Sequence, residues 1–209
     1  MSKATIEQRI ERLESLDQIR QLPAKYALAL DMRDMDAMVS LFVPDVRVGR
    51  EASGRQALRA YMDQTLRSPF TGTSHHIGGH IIEFDNPDSA QGIVYSKNEH
   101  ETGDEWVIMQ MMYADSYSRI DGRWYFARRL PLYWYAADLN KPPIGPNKMR
   151  WPGTEWVEGN FHKMFASYEA FWARDGDSGA PIAEPAPLDK FLETMRGGNV
   201  APKVKVRAD

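Results

Sequence analysis

Ile6, Ile10, Leu13, Leu16 and Ile19 recur at intervals of three and four, with charged residues between them. That spacing predicts an amphipathic helix from Thr5 to about Leu22 with a strongly charged outer face. Pro23 is expected to end or kink it. The next stretch, Ala24 to Asp31, is apolar nearly all round through Tyr26, Ala27, Leu28, Ala29 and Leu30, which predicts a second, buried helical piece. Asp34 or Asp36 can cap a short third helix over 35–42 that Pro44 stops. Val46 to Val48 reads as a short strand. A further helix is expected over 56–65, carrying Ala57, Leu58, Tyr61 and Met62.

The pattern then changes period. Strands are expected at about 75–84, 90–101, 106–120 and 123–135, joined by Asp85-Asn86-Pro87-Asp88, Thr102-Gly103-Asp104 and Asp121-Gly122. The last junction is a strong hairpin signal, because Asp-Gly supplies the positive φ angles of a type I′ turn. Helices followed by an antiparallel meander give an α+β fold with the helices on one face of a curved sheet. One strand departs from the pattern. It carries His75, His76 and His80 with Gly78-Gly79 in its middle, and glycine inside a strand marks a bulge or a close approach. A bent strand with imidazoles near its start suggests a pocket floor; solvated surface histidines are the plain alternative.

After Ala137 the composition shifts. Prolines break up 138–153, a helix rich in aromatic residues is expected over Asn160–Trp172, and another over Leu188–Met195 precedes a basic tail. Residues 1–137 are therefore read as the domain. Residues 138–209 are read as a proline- and aromatic-rich C-terminal arm that serves as a lid or a subunit contact.

Composition narrows the function. With 209 residues the chain can bury a sizeable core, and a net charge of −3 gives no basic field for nucleic acid. No run of about 18 apolar residues suggests a membrane span, and the N-terminus lacks the apolar core of a signal peptide. The absence of cysteine excludes disulfides and thiolate chemistry, and cytoplasmic residence is the default expectation. Eleven Met, six Trp, nine Tyr and eight Phe supply soft and flat side chains suited to aromatic ligands.

No phosphate-binding loop, dinucleotide fingerprint, zinc helix motif or nucleophile elbow is present, so no cofactor is expected. Histidine, carboxylate and phenol remain, which suit proton transfer. His75 is the candidate base. Asp31 closes a buried helical stretch, where a carboxylate needs a partner; it either caps the next turn or orients a histidine. Tyr26 lies five residues earlier and either borders the same cavity or packs in the core. Strand alternation sends Ser96, Asn98 and His100 to one face and Lys97, Glu99 and Glu101 to the other. By the same alternation His76 turns away from the cavity, and His80 packs or meets solvent. His75, His100 and Asp31 could imitate a two-histidine metal site, but their spacing is not diagnostic, and no metal is assigned.

With the helices, Asp31, the His75-His76-Ile77-Gly78-Gly79 stretch and the Asp121-Gly122-x-Trp124 hairpin in place, the chain resembles the SnoaL-like branch of the nuclear transport factor 2-like superfamily. The resemblance covers roughly residues 5–137 and implies a cone-shaped α+β barrel closed by N-terminal helices. Within that branch it is similar to the scytalone dehydratases, the bile-acid 7α-dehydratases and the hexachlorocyclohexane dehydrochlorinases. It then implies a cofactor-independent lyase, typically homotrimeric (homodimer as the alternative), acting on a hydroxylated aromatic or alicyclic small molecule. His75, Asp31, Tyr26 and His100 fall on the catalytic positions. Lys97, Arg50, Tyr113 and Glu101 are candidates for substrate contacts. Leu30 and Arg50 stand where scytalone dehydratases carry tyrosines, and Tyr113 where they carry an asparagine, so scytalone itself is not the expected substrate. Lyases of lignin-derived diarylpropanes, which lose water and formaldehyde, are a further branch suggested by the aromatic supply. An isomerase on the same fold and a non-catalytic ligand-binding or assembly module are the competing functions.

Overall fold

A computed structural model describes residues 4–103, 105–141, 147–151, 153–159 and 172–173, apart from the side chain of Lys148. The helices expected over Asn160–Trp172 and Leu188–Met195 lie, but for Trp172 itself, outside the described residues. So does most of the arm.

The first helix, α1, runs unbroken over Ile6–Asp31 with Pro23 inside it, so the two expected helices are one. Thr5 starts it with a capping box: its side chain accepts from the Gln8 backbone N–H while the Gln8 side chain accepts from the Thr5 N–H. A proline inside a helix costs about 3 kcal/mol. Ile19, Leu22, Tyr26 and Leu30 flank it and are all buried, each contributing roughly 1.5–3 kcal/mol. Tertiary burial therefore outweighs the local break. The apolar stripe is buried only in part. Ile6, Ile10 and Leu13 stay exposed, because packing begins at Ser15 and Ile19.

Helix α2 covers Met35–Ser40, and Asp34 caps it by accepting from the Ala37 N–H at 2.9 Å. Two short strands, β1 (Arg47–Val48) and β2 (Ala52–Ser53), form a hairpin before helix α3 (Arg55–Arg67). Four long strands follow: β3 (Gly72–Asn86), β4 (Ser89–Thr102), β5 (Glu105–Ile120) and β6 (Arg123–Asp138). They form an antiparallel meander, with Asp121 and Gly122 at positive φ in the expected hairpin turn. Beyond β6, the short strands β7 (Asn147–Met149) and β8 (Val157–Glu158) extend the same sheet, β7 parallel to β6. The strand order is β3-β4-β5-β6-β7-β8, so the curved sheet does not close into a barrel.

The helices fill the concave side of this sheet. Tyr26, Phe42 and Phe126 pack edge-on or tilted at 5.1–6.2 Å between centroids. The chain after α2 is pinned to β6 by backbone bonds from Val43 to Phe126 and from Phe126 to Leu41. Residues at even positions of β4 and odd positions of β5 face this core. Ile93, Met112, Ala114, Leu130 and Leu132 form a second buried cluster on the other face.

Candidate active site

Asp31 is the last residue of α1, and the turn that follows fixes where its carboxylate points. The Arg33 and Asp34 N–H groups bond back to the Leu30 and Ala29 carbonyls at 3.0 and 2.8 Å. That is a Schellman cap with Arg33 at φ 59°, in the left-handed region where glycine is usual. A side chain there costs on the order of 1–2 kcal/mol. The Arg33 guanidinium offsets it by donating to the Leu30 carbonyl and to the Thr73 hydroxyl oxygen, both at 2.7 Å. The end of α1 is thereby tied to the start of β3.

Among the described residues β3 is an edge strand, and one side of its backbone has no strand neighbour. The carboxylate of Asp31 occupies that side. One oxygen accepts the His75 backbone N–H at 2.9 Å, and the other accepts His75 Nδ1–H at 2.7 Å and the Thr73 hydroxyl at 3.0 Å. A carboxylate can only accept, so the proton sits on Nδ1 and the basic lone pair of the ring is on Nε2. Burial alone would raise the Asp31 pKa. The hydrogen bonds from His75 and then Thr73 outweigh it and hold the group below the usual carboxylate range. The His75 side chain is 6% exposed and that of Asp31 18%. The result is a partly covered base with a fixed tautomer, the arrangement that supports an imidazolium when a proton arrives.

Gly78 and Gly79 do bend the strand, with a consequence that alternation alone does not give. The register slips between Ile77 and His80. One extra residue reverses the parity of everything after it. His80, expected to pack or meet solvent, packs, and it does so on the same face of the strand as His75. Its ring N–H donates to the Tyr117 hydroxyl at 2.9 Å, Tyr117 donates to Asp115 at 3.0 Å, and Asp115 takes a two-bond ion pair from Arg129 at 3.0 and 2.7 Å. Burial pushes His80 down to about 4, with Arg129 adding to it. The Arg129 guanidinium lies 4.0–4.5 Å over the rings of Tyr113, Phe126 and Tyr26. Burial opposes its charge, but Asp115 more than offsets that and its pKa is raised.

Between these clusters, Asn98 stands opposite His75 in the register, and its amide reaches the Tyr113 hydroxyl at 3.4 Å. Ser96 donates to the Asn98 carbonyl. Burial, above all, raises the pKa of both Tyr26 and Tyr113, so both phenols stay neutral. His100 lies at 6.0 Å from His75, ring to ring, and is boxed by Phe70 at 4.8 Å and Trp151 at 5.5 Å. Burial, then the charge of His75, lowers it to about 4. Among the described residues its buried Nδ1 has no partner of normal hydrogen-bond geometry, although the Val107 backbone is near enough to favour the charged form.

The structure thus brings together His75, Asp31, His100 and, through Asn98, Tyr113. Tyr26 lies deeper, in the aromatic core at 6.1 Å from Tyr113. Lys97, Glu101 and Arg50 are not brought in. Lys97 and Glu101 are exposed on the opposite face of β4, as their strand parity requires, and Arg50 is exposed in the turn between β1 and β2. Thr73, Arg33, Asn98, Asp115, Arg129 and Trp151 complete the surroundings without having been singled out as site residues. Asn98 carried a signal, being in phase with His100 on a polar strand end. Asp115 carried another, as the lone charge within the run Met109–Tyr117. Among the described residues no three His, Asp or Glu side chains are grouped to hold a metal ion, and no helix is long and apolar enough to cross a membrane.

Solved structures share this architecture. A scytalone dehydratase-like protein from Novosphingobium aromaticivorans is 24% identical, with a TM-score of 0.56 over 70% of this chain and 99% of its own. A type 3 hexachlorocyclohexane dehydrochlorinase (LinA) from Novosphingobium barchaimii is 19% identical, with a TM-score of 0.58 over 63% of this chain and 94% of its own. A protein of unknown function from Mycobacterium tuberculosis is 25% identical, with a TM-score of 0.53 over 66% and 80% of the two chains. No curated protein matches the chain. The SnoaL-like domain family matches residues 11–130, the segment from α1 into β6 that carries the dyad and the bulged strand. The chain belongs to the SnoaL-like domain family of the nuclear transport factor 2-like superfamily.

Proposed function

We propose that the protein is a cofactor-independent lyase that eliminates water from a hydroxylated aromatic or alicyclic small molecule. The observation that carries this reading is the 2.7 Å bond from His75 Nδ1–H to Asp31, which leaves Nε2 as the base. In the step, His75 Nε2 takes a proton from carbon, and the C–H electron pair becomes the new double bond. The C–O bond breaks, and the departing hydroxide leaves as water with the proton that His75 had accepted. Asp31 orients the ring and stabilises its charged form, while Thr73 and Arg33 hold Asp31. His100 stays neutral at pH 7 and is suited to hydrogen-bond the substrate oxygen, and Tyr113 and Asn98 form the polar floor. Tyr26 supports Tyr113 from behind. The dehydratase and dehydrochlorinase neighbours support the reaction class, and the supply of aromatic residues supports the substrate class. Loss of formaldehyde along with water, from a diarylpropane, is the narrower form of the same reading. A homotrimer in the cytoplasm, with residues 138–209 as a lid or subunit contact, completes it.

The test is a mass-spectrometric screen of hydroxylated aromatic dimers and sterol-like alcohols. Loss of water, or of water with formaldehyde, is expected. A product of unchanged mass indicates an isomerase instead. On the substrate so found, His75→Ala is expected to lower turnover by roughly 10²–10⁴-fold, the usual share of a positioned acid–base group. Near-normal turnover sinks the assignment. A binding or assembly module would show no turnover for the parent protein and only stability changes in the variant.

A further inference from the structure

Trp151 lies beyond the segment 11–130 that the family covers, yet its ring rests on a histidine of the site. The route explains how. β7 lies along β6, and the chain then leaves β7 and reaches His100 on β4, three strands away in the sheet. Both sides of the crossing are anchored. Just before Trp151, the Arg150 N–H bonds to the Ala136 carbonyl at 2.6 Å, and its guanidinium pairs with Glu105 at 2.9 Å. Just after it, Thr154 accepts the Trp151 N–H at 3.1 Å and returns backbone and hydroxyl bonds to the Trp151 carbonyl at 3.0 and 2.9 Å. The indole is therefore held in place by its own segment and not merely folded onto the core.

Phe70 completes the arrangement from the loop between α3 and β3. Its ring is 4.8 Å from His100 and 5.8 Å from Trp151. Three segments distant in sequence thus converge three flat rings beside the dyad, and the imidazole of His75 is only 6.0 Å from that of His100. His100 is buried, whereas Phe70 and Trp151 keep part of their surface open. The open surface belongs to two uncharged rings inclined at 60° to each other.

We infer that Phe70 and Trp151, with the edge of His100, form a subsite for a planar aromatic ring of the substrate. The inference rests on the reading of Asp31 and His75 as the catalytic pair. Aromatic rings pair at centroid separations of about 4.5–7 Å. The imidazole of His75 is 6.0 Å from that of His100, so a ring held against Phe70 and Trp151 is next to the catalytic pair. A saturated ring of the same size fills the space without the quadrupole match. Aromatic pairing adds about 0.5–1.5 kcal/mol beyond buried area, which corresponds to roughly 2- to 12-fold in affinity per pair.

The test is direct binding of two probes, naphthol and its fully saturated counterpart decalol, followed by calorimetry or ligand-observed NMR. Naphthol is expected to bind the full chain about tenfold more tightly than decalol. Trp151→Leu should remove most of that preference, Phe70→Leu should do the same if Trp151→Leu fails to fold, and Trp151→Phe should retain it. His75→Ala should leave the preference intact, which separates this inference from the catalytic one. A protein that prefers naphthol but eliminates water from nothing keeps the subsite and loses the lyase reading. Equal affinities, no binding of either probe, or a preference unchanged in the leucine variants overturns the subsite.

Discussion

His75 and His80 stand five residues apart on one strand, face the same side of the sheet and are each linked to a carboxylate, yet they are chemically opposite. His75 gives its Nδ1 proton straight to Asp31 and keeps a basic nitrogen. His80 gives its proton to Tyr117, Tyr117 donates to Asp115, and Arg129 donates to the same carboxylate from the other side. Every link there points toward one buried carboxylate, and that carboxylate is neutralised by a buried cation. Among the described residues, the first cluster has one unused strong acceptor next to a polar floor. The second consumes its charges internally and behaves as structure. The comparison teaches that neither histidine count nor burial distinguishes a site from a scaffold; the direction of the hydrogen bonds does.

The sharpest way to break the contrast is to alter one carboxylate in each cluster. Asp31→Asn can no longer fix the Nδ1–H tautomer and should cost on the order of 10⁴-fold in turnover, the scale for a histidine that loses its carboxylate partner. Its unfolding midpoint in urea should shift far less. Arg129→Met should do the reverse. It strands Asp115 without its cation in a site where both side chains are almost fully covered, 4% and 0% exposed. Loss of a buried partner costs about 3–5 kcal/mol, measurable by urea titration. A mild stability effect would show that the second cluster is not scaffold.

Acid should weaken the fold in a defined window. Burial pushes both His80 and His100 down to about 4, while an unfolded histidine titrates near 6.5. As pH falls, the unfolded chain takes up protons first. The stability carried by the neutral rings is complete above about pH 6.5 and is lost down to about pH 4, on the order of 2–3 kcal/mol for each. His100→Asn should remove about half of that slope. A flat stability between those limits contradicts the burial of both rings.

Two smaller perturbations act on the joints. Gly92 faces His80 and Tyr117 so closely that a Cβ would meet the Ile81 carbonyl at 2.7 Å and the Tyr117 ring at 3.0 Å. Gly92→Ala should cost about 1–3 kcal/mol as an overpacking change, and it should spare the Asp31–His75 pair. Thr73→Val removes one of three donors to Asp31 and should cost about 1 kcal/mol in stability, with a modest fall in turnover.

Much of the fold was legible because it depends on local patterning. The four strands, the Asp121-Gly122 turn and the Asp34 cap follow from alternation, positive-φ residues and N-cap chemistry, and each lies within a residue or a few of where those rules put it. Asp31 was legible as a carboxylate that caps a turn or meets a histidine; its pairing with His75 in particular was what the family resemblance implied. Pro23 was not legible. Its cost is local and visible in sequence, whereas the buried neighbours that outweigh it belong to the packed helix. Lys97 and Arg50 are the converse case: their charges suggested substrate contacts, but strand parity and an exposed turn carry them away from the dyad.

The least legible features are matters of phase. Counting outward from the Asp121-Gly122 turn pairs Asp115 with Arg128. A bulge at Ala127 shifts the register so that Arg129 takes that place. The Gly78-Gly79 bulge likewise turns His80 inward. Side-chain direction in a strand has period two, so a single inserted residue inverts every later assignment. Two glycines announce that a bulge is near without saying how many residues it absorbs. The sequence by itself determined the element types, the hairpin order and the residues able to transfer a proton. Only the tertiary structure decided which of them share a face, because register is set by the packing of both strands against the core and not by either strand alone.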